Sequence, residues 1–345
     1  MVSATKVYVV TGANSGLGKD ASRQLALLPD TKVVYLACRS KDKAMAAIDD
    51  LVNNFNVSKS KLAYIHFDSS DNKESIERDA DSLPEGLFID GFIMNAGGFG
   101  PDNHAKPTSP ENNGVTSIAQ VNLIGHVHYM NRLLATNKLG TTTTSEQNDN
   151  GGPTTRSKKK SHVVYSGSEA ARGVSLMGMK PPMLEKYSDQ DFSDMLTGKF
   201  YEKKYDKNAA YGEIKGIAAL YLSEFARRHP EIYVLTISPG GTVGTNFKDA
   251  TSISPMERIM FGVFMNVLKK FGKFHDLHVG AKRYVDGVVS GGEFDKTKKY
   301  ESGTFLASKK GVNGIIIDQA QYKYGKAYGN RQTQLAAYNA VVAHS

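Results

Sequence analysis

Short apolar runs rich in β-branched residues alternate with helix-like segments along this 345-residue chain. The predicted strands lie at Lys6–Thr11, Lys32–Cys38, Leu62–Phe67, Phe88–Asn95, His162–Ser166, Ile232–Ile237 and Gly303–Ala307. The predicted helices lie near residues 16–28, 41–54, 72–82, 116–138, 209–229, 255–271 and 276–290. This alternation favours an α/β fold, with a doubly wound parallel sheet of about seven strands and helices on both faces, in one domain over residues 1–345. Ligands of such a sheet bind at the carboxyl ends of its strands.

Two segments interrupt the alternation. Residues 140–160, GTTTTSEQNDNGGPTTRSKKK, are polar and of low complexity, which predicts a flexible surface loop. Residues 173–208 carry several methionine and aromatic side chains, and we expect an ordered excursion with an apolar lining. Residues 246–275 are predicted to form a second insertion of this kind.

Composition excludes several classes of protein. No run approaches the roughly 18 apolar residues of a membrane span, and 40% hydrophobic with 23% charged residues is ordinary for a globular domain. The single cysteine, Cys38, excludes an internal disulfide and a cysteine-ligated metal cluster, so no metal site is predicted. The first predicted strand begins at Lys6, so we expect a cytoplasmic protein, with a trimmed organellar form as the alternative.

The net charge of +8 is spread over the chain. Its basic runs, at residues 158–160, 269–273 and 296–299, are separate and contain no aromatic-interleaved stripe. A solvated basic surface therefore fits better than a nucleic-acid partner.

The stretch TGANSGLG, residues 11–18, follows the first predicted strand. Glycines at 12, 16 and 18 allow a tight turn and a close approach of backbone to a phosphate. The helix that begins near Gly16 offers its unpaired N–H groups to an anion. A plain strand–helix turn is the alternative for this pattern considered by itself.

The pattern Tyr-x-x-x-Lys occurs twice, at Tyr211/Lys215 and Tyr322/Lys326. Tyr211 opens a helical stretch, where a separation of four places both residues on one face. This stretch lies between strands that end in YSGS and SPGG, whereas Tyr322 has neither flank. We therefore favour the first pair.

Together, TGANSGLG, MNAG at 94–97, VNLIG around Asn122, YSGS, YGEIK and SPGG resemble the short-chain dehydrogenase/reductase family. They occur in the family's order across residues 6–245. The resemblance implies a Rossmann-type sheet with a nicotinamide dinucleotide at the glycine turn.

The resemblance also assigns the catalytic roles. Tyr211 would give a proton to a carbonyl oxygen as hydride reaches its carbon, and Lys215 would favour the phenolate and bind the nicotinamide ribose. Ser168 would hydrogen-bond the substrate oxygen, with Ser166 as the competing hydroxyl. Asn122 would hold a water molecule that links Lys215 to solvent.

The end of the second strand predicts the cofactor. Cys38 stands where an acid would bind a ribose 2′-hydroxyl, while Arg39, assisted by Ser40 and Lys43, offers charge to a 2′-phosphate. NADPH/NADP⁺ is therefore expected, with a solvated Arg39 as the alternative. By resemblance the other cofactor-binding residues are Thr11, Gly12, Asn14, Ser15, Gly16, Leu17, Gly18, Asp68, Ser69, Asn95, Ala96, Gly97, Tyr211, Lys215, Pro239, Gly240, Thr242 and Thr245.

These observations predict an NADPH-dependent carbonyl reductase or alcohol dehydrogenase. The long span from Ser168 to Tyr211 resembles the retinol-dehydrogenase-like and light-dependent protochlorophyllide-reductase branches. The latter carry a cysteine where this chain has Gly241, which argues against pigment photoreduction. A C=C reductase and a non-catalytic NADP-sensing protein are the alternatives.

The substrate is predicted to be a bulky, hydrophobic carbonyl compound. The expected apolar wall consists of Met177, Met179, Met183, Met260, Met265, Phe261 and Phe264. The alternatives are a small satellite core and peripheral contact of the 254–274 helix with a membrane surface. We expect a monomer, or a homodimer through the helices at 116–138 and 209–229.

Overall fold

The computed structural model describes residues 5–98, 114–146, 155–174, 179–202, 206–243, 274–290, 293–295, 298–323 and 325–345. A nine-stranded sheet forms its centre. The strands are β1 (Lys6–Thr11), β2 (Thr31–Cys38), β3 (Leu62–His66), β4 (Gly91–Met94), β5 (Thr141–Glu146), β6 (Thr155–Ser166), β7 (Ile232–Ile237), β8 (Thr304–Lys310) and β9 (Asn313–Asp318). Short two-stranded pairs join Thr242–Val243 to His275–Asp276, and Glu293–Asp295 to Lys298–Lys299.

The strand order is β9-β8-β7-β6-β4-β1-β2-β3, with β5 paired to β6. Pairings from β8 through β7, β6, β4, β1 and β2 to β3 are parallel, and the β8–β9 and β5–β6 pairings are antiparallel. The chain runs from β1 outward to β3 and then crosses back to β4 on the other side of β1. Such a reversal of strand order opens a crevice at the carboxyl ends of β1 and β4, the ligand-binding position of this architecture.

Helices cover both faces of the sheet, which confirms the predicted fold class. They are α1 (Gly16–Ala26), α2 (Lys41–Phe55), α3 (Lys73–Asp81), α4 (Ser117–Ala119), α5 (Gly125–Ala135), α6 (Asp189–Thr197), α7 (Lys207–Arg228), α8 (Leu277–Val289), α9 (Lys326–Gly329) and α10 (Arg331–Val342). A π-helical turn, Gln120–Ile124, joins α4 to α5. Single 3₁₀ turns occur at Lys59–Lys61, Glu169–Arg172, Leu184–Lys186, Lys199–Tyr201 and Gln319–Gln321.

The alternation of side chains along β1 divides the core into two layers. Tyr8 and Val10 pack with the α1, α2 and α8 layer, whereas Val9 packs with the layer built on α5 and α7. All three side chains are fully buried. Burial on both faces explains why the run KVYVV is continuously apolar.

The flexible loop predicted for residues 140–160 is in part a β-hairpin. Thr141–Glu146 pairs antiparallel with the first half of β6, from Thr155 to Lys160. A run of four threonines supplies β-branched residues that fit a strand despite their polarity. Residues 147–154, between the two strands, lie outside the described residues.

The carboxyl-terminal part of the chain was incompletely predicted. Strand β9 pairs with β8 at the edge of the sheet and leaves Ile315 80% exposed, so it lacks the pattern of a buried strand. Helix α10 buries Ala337 and Val341 in the α7 layer, and three of its apolar residues are small alanines. The predicted helix at 255–271 lies outside the described residues.

Candidate active site

The glycine turn after β1 is tightly folded. Gly12 and Gly16 have φ of +63° and +54°, which favour glycine, and a Cβ on Gly18 would lie 2.5 Å from the Gly12 carbonyl oxygen. Ser15 is the N-cap of α1, and its side chain makes no capping hydrogen bond there. The N-terminus of the 11-residue helix α1 therefore adjoins a turn that has glycine at its most crowded positions. These features fit the pyrophosphate of a dinucleotide.

Thr11 ties this turn to the end of β4. Its Oγ1 accepts hydrogen bonds from the backbone N–H groups of Asn95 and Ala96 at 2.8 and 2.9 Å. The Asn95 side chain donates in return to the Thr11 carbonyl at 2.9 Å. Residues predicted from two distant motifs thus lie side by side across the crevice.

His126 is a buried residue of this site that the sequence reasoning missed. Its Nε2 lies 2.9 Å from Thr11 Oγ1, and its ring contacts Phe67 and Tyr165. Burial, with the nearby Lys215 charge, lowers the pKa of His126 to about 3, so the ring is neutral near pH 7. A polar residue directly after NLIG was the available signal.

Cys38, at the end of β2, contacts the backbone of the glycine turn. It is 2% exposed, and its sulfur accepts hydrogen bonds from the backbone N–H groups of Ala13 and Asn14. Burial raises the pKa of the thiol to about 11, so Cys38 brings no charge to this end of the crevice.

Arg39 lies at the surface just beyond β2. Its guanidinium is 74% exposed, with Nε 3.6 Å from a carboxylate oxygen of Asp68. The other oxygen of Asp68 accepts from the backbone and hydroxyl of Ser70. Ser40 caps α2 by accepting from the Lys43 backbone, so its hydroxyl already has a structural partner, and Lys43 is exposed.

The segment after β7 also reaches the crevice. A Cβ on Gly280 would lie within 3.0 Å of atoms of Leu17, Pro239 and Thr242, so these residues of three segments meet at one point. Gly240 has φ of +77°, and Ser238 accepts its backbone N–H. Thr245 lies outside the described residues.

Asn122 lies in the π-helical turn and is fully buried. Its amide donates to the carbonyls of Gly98 and Ile118, and its Oδ1 accepts from the Gly98 backbone at 3.1 Å. A Cβ on Gly97 would lie 2.5 Å from Oδ1. Asn122 therefore fixes the segment after β4, and Ser69 is held nearby through its carbonyl, which accepts from Gln120.

Tyr211 and Lys215 lie one helical turn apart near the start of α7, as predicted. Asp206 caps this helix by accepting from the backbones of Asn208 and Ala209. Tyr211 hydrogen-bonds the Ser168 side chain. Lys215 Nζ lies 5.7 Å from the Tyr211 ring centroid and donates to the Ser166 carbonyl at 2.9 Å.

Burial dominates the electrostatics of this pair. It raises the pKa of Tyr211 to about 12, against the opposing effect of the Ser168 hydrogen bond, and lowers the pKa of Lys215 to about 7. The pKa of Tyr211 is therefore raised by its surroundings, contrary to the lowering expected from Lys215. At neutral pH Tyr211 holds its proton, as a proton donor must.

The competing residues have other partners. The Ser166 hydroxyl pairs with the Tyr284 hydroxyl at 2.6 Å, whereas Ser168 meets Tyr211. Tyr322 follows a 3₁₀ turn beyond β9, and its ring packs against the Arg172 guanidinium at 4.9 Å. Lys326 opens the four-residue α9.

The described part of the substrate region is divided between two cores. Phe192, Met195 and Leu196 of α6 are fully buried in the α7 layer, so these residues enter the main core and are not part of the apolar lining expected for 173–208. Met179 instead belongs to a small cluster with Phe274 and Val312, against which Tyr211 packs. Met183 is 46% exposed. Met177, Met260, Met265, Phe261 and Phe264 lie outside the described residues.

Comparison with known proteins bears on the amino-terminal part of the chain. Residues 6–142 match the family model described as short chain dehydrogenase. This segment is similar to the short-chain dehydrogenase family. It contains the glycine turn, the β4 end and Asn122.

The relatives by sequence are matched over part of their length. A short-chain dehydrogenase/reductase of Phomopsis amygdali is 38% identical over 29% of this chain and 30% of that protein. The WW domain-containing oxidoreductase of Drosophila melanogaster is 24% identical over 70% of this chain and 50% of that protein. The chain spans between about a third and a half of these curated relatives.

Solved short-chain dehydrogenases share the fold over most of the chain. Salutaridine reductase from Papaver somniferum has a TM-score of 0.56 at 16% identity, over 87% of this chain and 99% of its own. RhlG of Pseudomonas aeruginosa, solved with NADP, has a TM-score of 0.52 at 16% identity, over 88% of this chain and 95% of its own. At identities this low, the likeness shows a shared fold alone.

Across the described residues, no helix is long and apolar enough to cross a membrane. The same residues contain no group of three or more His, Cys, Asp or Glu side chains placed to hold a metal ion.

Proposed function

We propose that this chain is an NADPH-dependent oxidoreductase that interconverts a carbonyl group and an alcohol on a bulky apolar substrate. The observation that carries the proposal is the meeting of Ser168, Tyr211 and Lys215 at the carboxyl end of β6. This edge of the sheet also holds the glycine turn, which follows β1, and only β4 lies between β1 and β6. A dinucleotide on that turn can extend along the same edge towards Tyr211.

The residues divide the chemistry between them. A nicotinamide cofactor, when bound, would supply the hydride that reduces the carbonyl carbon. Tyr211 donates its phenolic proton to the carbonyl oxygen, and Ser168 holds that oxygen by a hydrogen bond. Lys215, when protonated, stabilises the phenolate that remains on Tyr211. Oxidation of the alcohol uses the same residues in reverse.

Two features support NADPH over NADH. Arg39 presents an exposed guanidinium beyond β2, where it can pair with a 2′-phosphate. Cys38 places a buried, neutral thiol where an acid would bind the 2′-hydroxyl and repel that phosphate. Asp68 would meet the adenine at the other side of Arg39.

The apolar cluster beside Tyr211 supports a hydrophobic substrate. Val174, Met179, Phe274 and Val312 belong to an apolar cluster against which the partly buried Tyr211 packs. A methionine in such a wall adapts to irregular ligands. This cluster, with the long segment after Ser168, is the support for a retinol-dehydrogenase-like role.

Gly241 gives a reason to prefer carbonyl chemistry over C=C reduction. A Cβ at this position would lie 2.6 Å from a Val312 methyl carbon and 2.8 Å from the Phe274 ring. The described surroundings therefore leave no room for the cysteine that the protochlorophyllide-reductase branch carries there.

The test is a screen of aldehydes, ketones and quinones for NADPH oxidation. We expect turnover with hydrophobic carbonyl compounds, loss of that turnover in Tyr211→Phe, and nearly unchanged NADPH affinity in this variant. Tyr322→Phe is the matched control, because it removes the hydroxyl of the second Tyr-x-x-x-Lys pair. A variant Tyr322→Phe without turnover beside an active Tyr211→Phe would overturn the assignment. NADPH binding without turnover on any substrate would favour a sensor.

A further inference from the structure

Tyr165, near the end of β6, holds a central position to which the sequence assigned no role. Its side chain is 1% exposed. Its hydroxyl donates to the backbone carbonyl of Asn122 at 2.6 Å and accepts from Lys215 Nζ at 3.2 Å. One hydroxyl thus connects the π-helical turn to the lysine of α7.

Lys215 depends on β6 for its described hydrogen bonds. An ammonium has three N–H donors, and two of these are used by the Tyr165 hydroxyl and the Ser166 carbonyl. The Tyr165 ring lies 4.6 Å from Nζ and adds a cation–π contact. Since Lys215 is 2% exposed, these groups take the place of water around its charge.

We propose that Tyr165 is a positioning residue that fixes Lys215 by bridging its ammonium to the Asn122 carbonyl. This inference rests on the proposed function. The family resemblance implies a water molecule between Asn122 and Lys215. Here the Tyr165 hydroxyl contacts both the Asn122 carbonyl and the Lys215 ammonium.

The chemistry of the bridge favours positioning over proton transfer. A backbone carbonyl does not take up a proton, so beyond Lys215 the Tyr165 hydroxyl has no described partner to which it could pass one. Burial raises the pKa of Tyr165 well above its ordinary value, and the hydroxyl stays protonated. The chain of contacts Asn122–Tyr165–Lys215 is therefore not the path by which a proton returns to Tyr211.

The titratable neighbours of Lys215 are neutral near pH 7. They are Tyr165 on β6, Tyr211 on its own helix, His126 on α5 and Tyr284 on α8, which hydrogen-bonds Ser166. Burial raises the pKa of each tyrosine and lowers that of the histidine. Among these five groups Lys215 is the one that titrates near neutrality.

The test compares Tyr165→Phe with Tyr129→Phe. Phenylalanine at 165 keeps the ring and removes the bridging hydroxyl. Tyr129 is an equally buried tyrosine of the same core layer, and its hydroxyl has no hydrogen-bond partner among the described residues. The two variants therefore remove the same atom with and without the bridge.

The first measurement follows lysine side-chain NMR signals with pH in the protein without cofactor, with Lys215 assigned by its loss in Lys215→Met. A hydrogen bond to the charged form favours it, so we expect the Lys215 pKa to fall by about one unit in Tyr165→Phe and to stay unchanged in Tyr129→Phe. Replacing Tyr165 by 3-fluorotyrosine keeps the fold and weakens the acceptor, and should lower the pKa by less. An unchanged Lys215 pKa in Tyr165→Phe and in the 3-fluorotyrosine protein would overturn the inference.

The second measurement is the pH profile of kcat with the substrate found by the screen. The limb governed by Lys215 should move with its pKa in Tyr165→Phe, while the Kd for NADPH changes less than about twofold. A fall in kcat without movement of that limb contradicts positioning. Absence of turnover in the unaltered protein, with the NMR shift present, would overturn the proposed function and leave the bridge intact.

Discussion

At the residue scale, the proposed preference for NADPH depends on one exposed side chain, Arg39. Arg39→Asp replaces the guanidinium with a charge that repels a 2′-phosphate, in a place where Asp68 already lies nearby. We expect NADPH binding to weaken by about 10- to 100-fold and NADH binding to change little, since a charge-assisted hydrogen bond is exchanged for repulsion. Fluorescence titration with both cofactors measures this change. Equal affinities of the unaltered protein for NADH and NADPH would contradict the assignment.

Local spacing explains which catalytic residues could be predicted from the sequence. Tyr211 and Lys215 lie on one helix, so a separation of four residues was enough to place them on one face. Tyr165 and His126 could not be found in this way, because their contacts span 43 to 115 positions of the chain. The pKa of Tyr211 also needed the fold, since burial decides its direction.

At the element scale, α5 makes the fold sensitive to acid. Burial lowers the pKa of His126 to about 3 and, with the Lys73 charge, lowers that of His128 to about 4. In the unfolded chain both take up a proton near pH 6.5. The stability that comes from keeping them neutral is therefore present above pH 6.5 and is lost as the pH falls from 6.5 towards 4.

His128→Gln tests this behaviour. One such histidine contributes a slope of up to about 1.4 kcal/mol per pH unit to the free energy of unfolding. The variant should show a shallower loss of stability between pH 6.5 and 4 in urea unfolding than the unaltered protein. Parallel curves for the two proteins would show that His128 is not neutral in the folded state.

Elements were predicted where burial leaves a pattern in the sequence. The bounds of β1 and β7 agree with the expectation, since both are central strands with continuous apolar runs. The hairpin of β5 and β6 was missed because threonines and lysines form it, and polarity suggested a loop. The helix predicted over 116–138 contains a π-helical turn, which the spacing of apolar residues does not predict. Asn122 lies in that turn.

At the scale of the whole molecule, a buried ion pair joins the Ser168 segment to the far edge of the sheet. Arg172 pairs with Glu169 and also donates to the carbonyls of Ser308 and Gly311, while Glu169 accepts from the Ser308 backbone. Both side chains are less than 10% exposed. The position of Ser168, the proposed catalytic serine, is thus coupled to β8 and the turn after it.

Removing both partners of this pair should cost less than the sum of the losses from removing each one alone. Arg172→Met leaves a buried carboxylate that Arg283 meets at 3.9 Å, and we expect a loss of about 3 kcal/mol in unfolding free energy. The double variant Glu169→Gln/Arg172→Met should lose less than the sum of the two single variants. Additive losses in chemical denaturation would show that the two side chains do not interact.

Hydride transfer to carbon is the central claim of this account, and isotope transfer measures it directly. The protein is incubated with its preferred carbonyl substrate and, in separate samples, with the two NADPH stereoisomers that carry deuterium at C4 of the nicotinamide. We predict that one stereoisomer delivers one deuterium to the carbinol carbon, seen by mass spectrometry, and that Tyr211→Phe forms almost no product. An alcohol formed without deuterium from either stereoisomer would contradict the account.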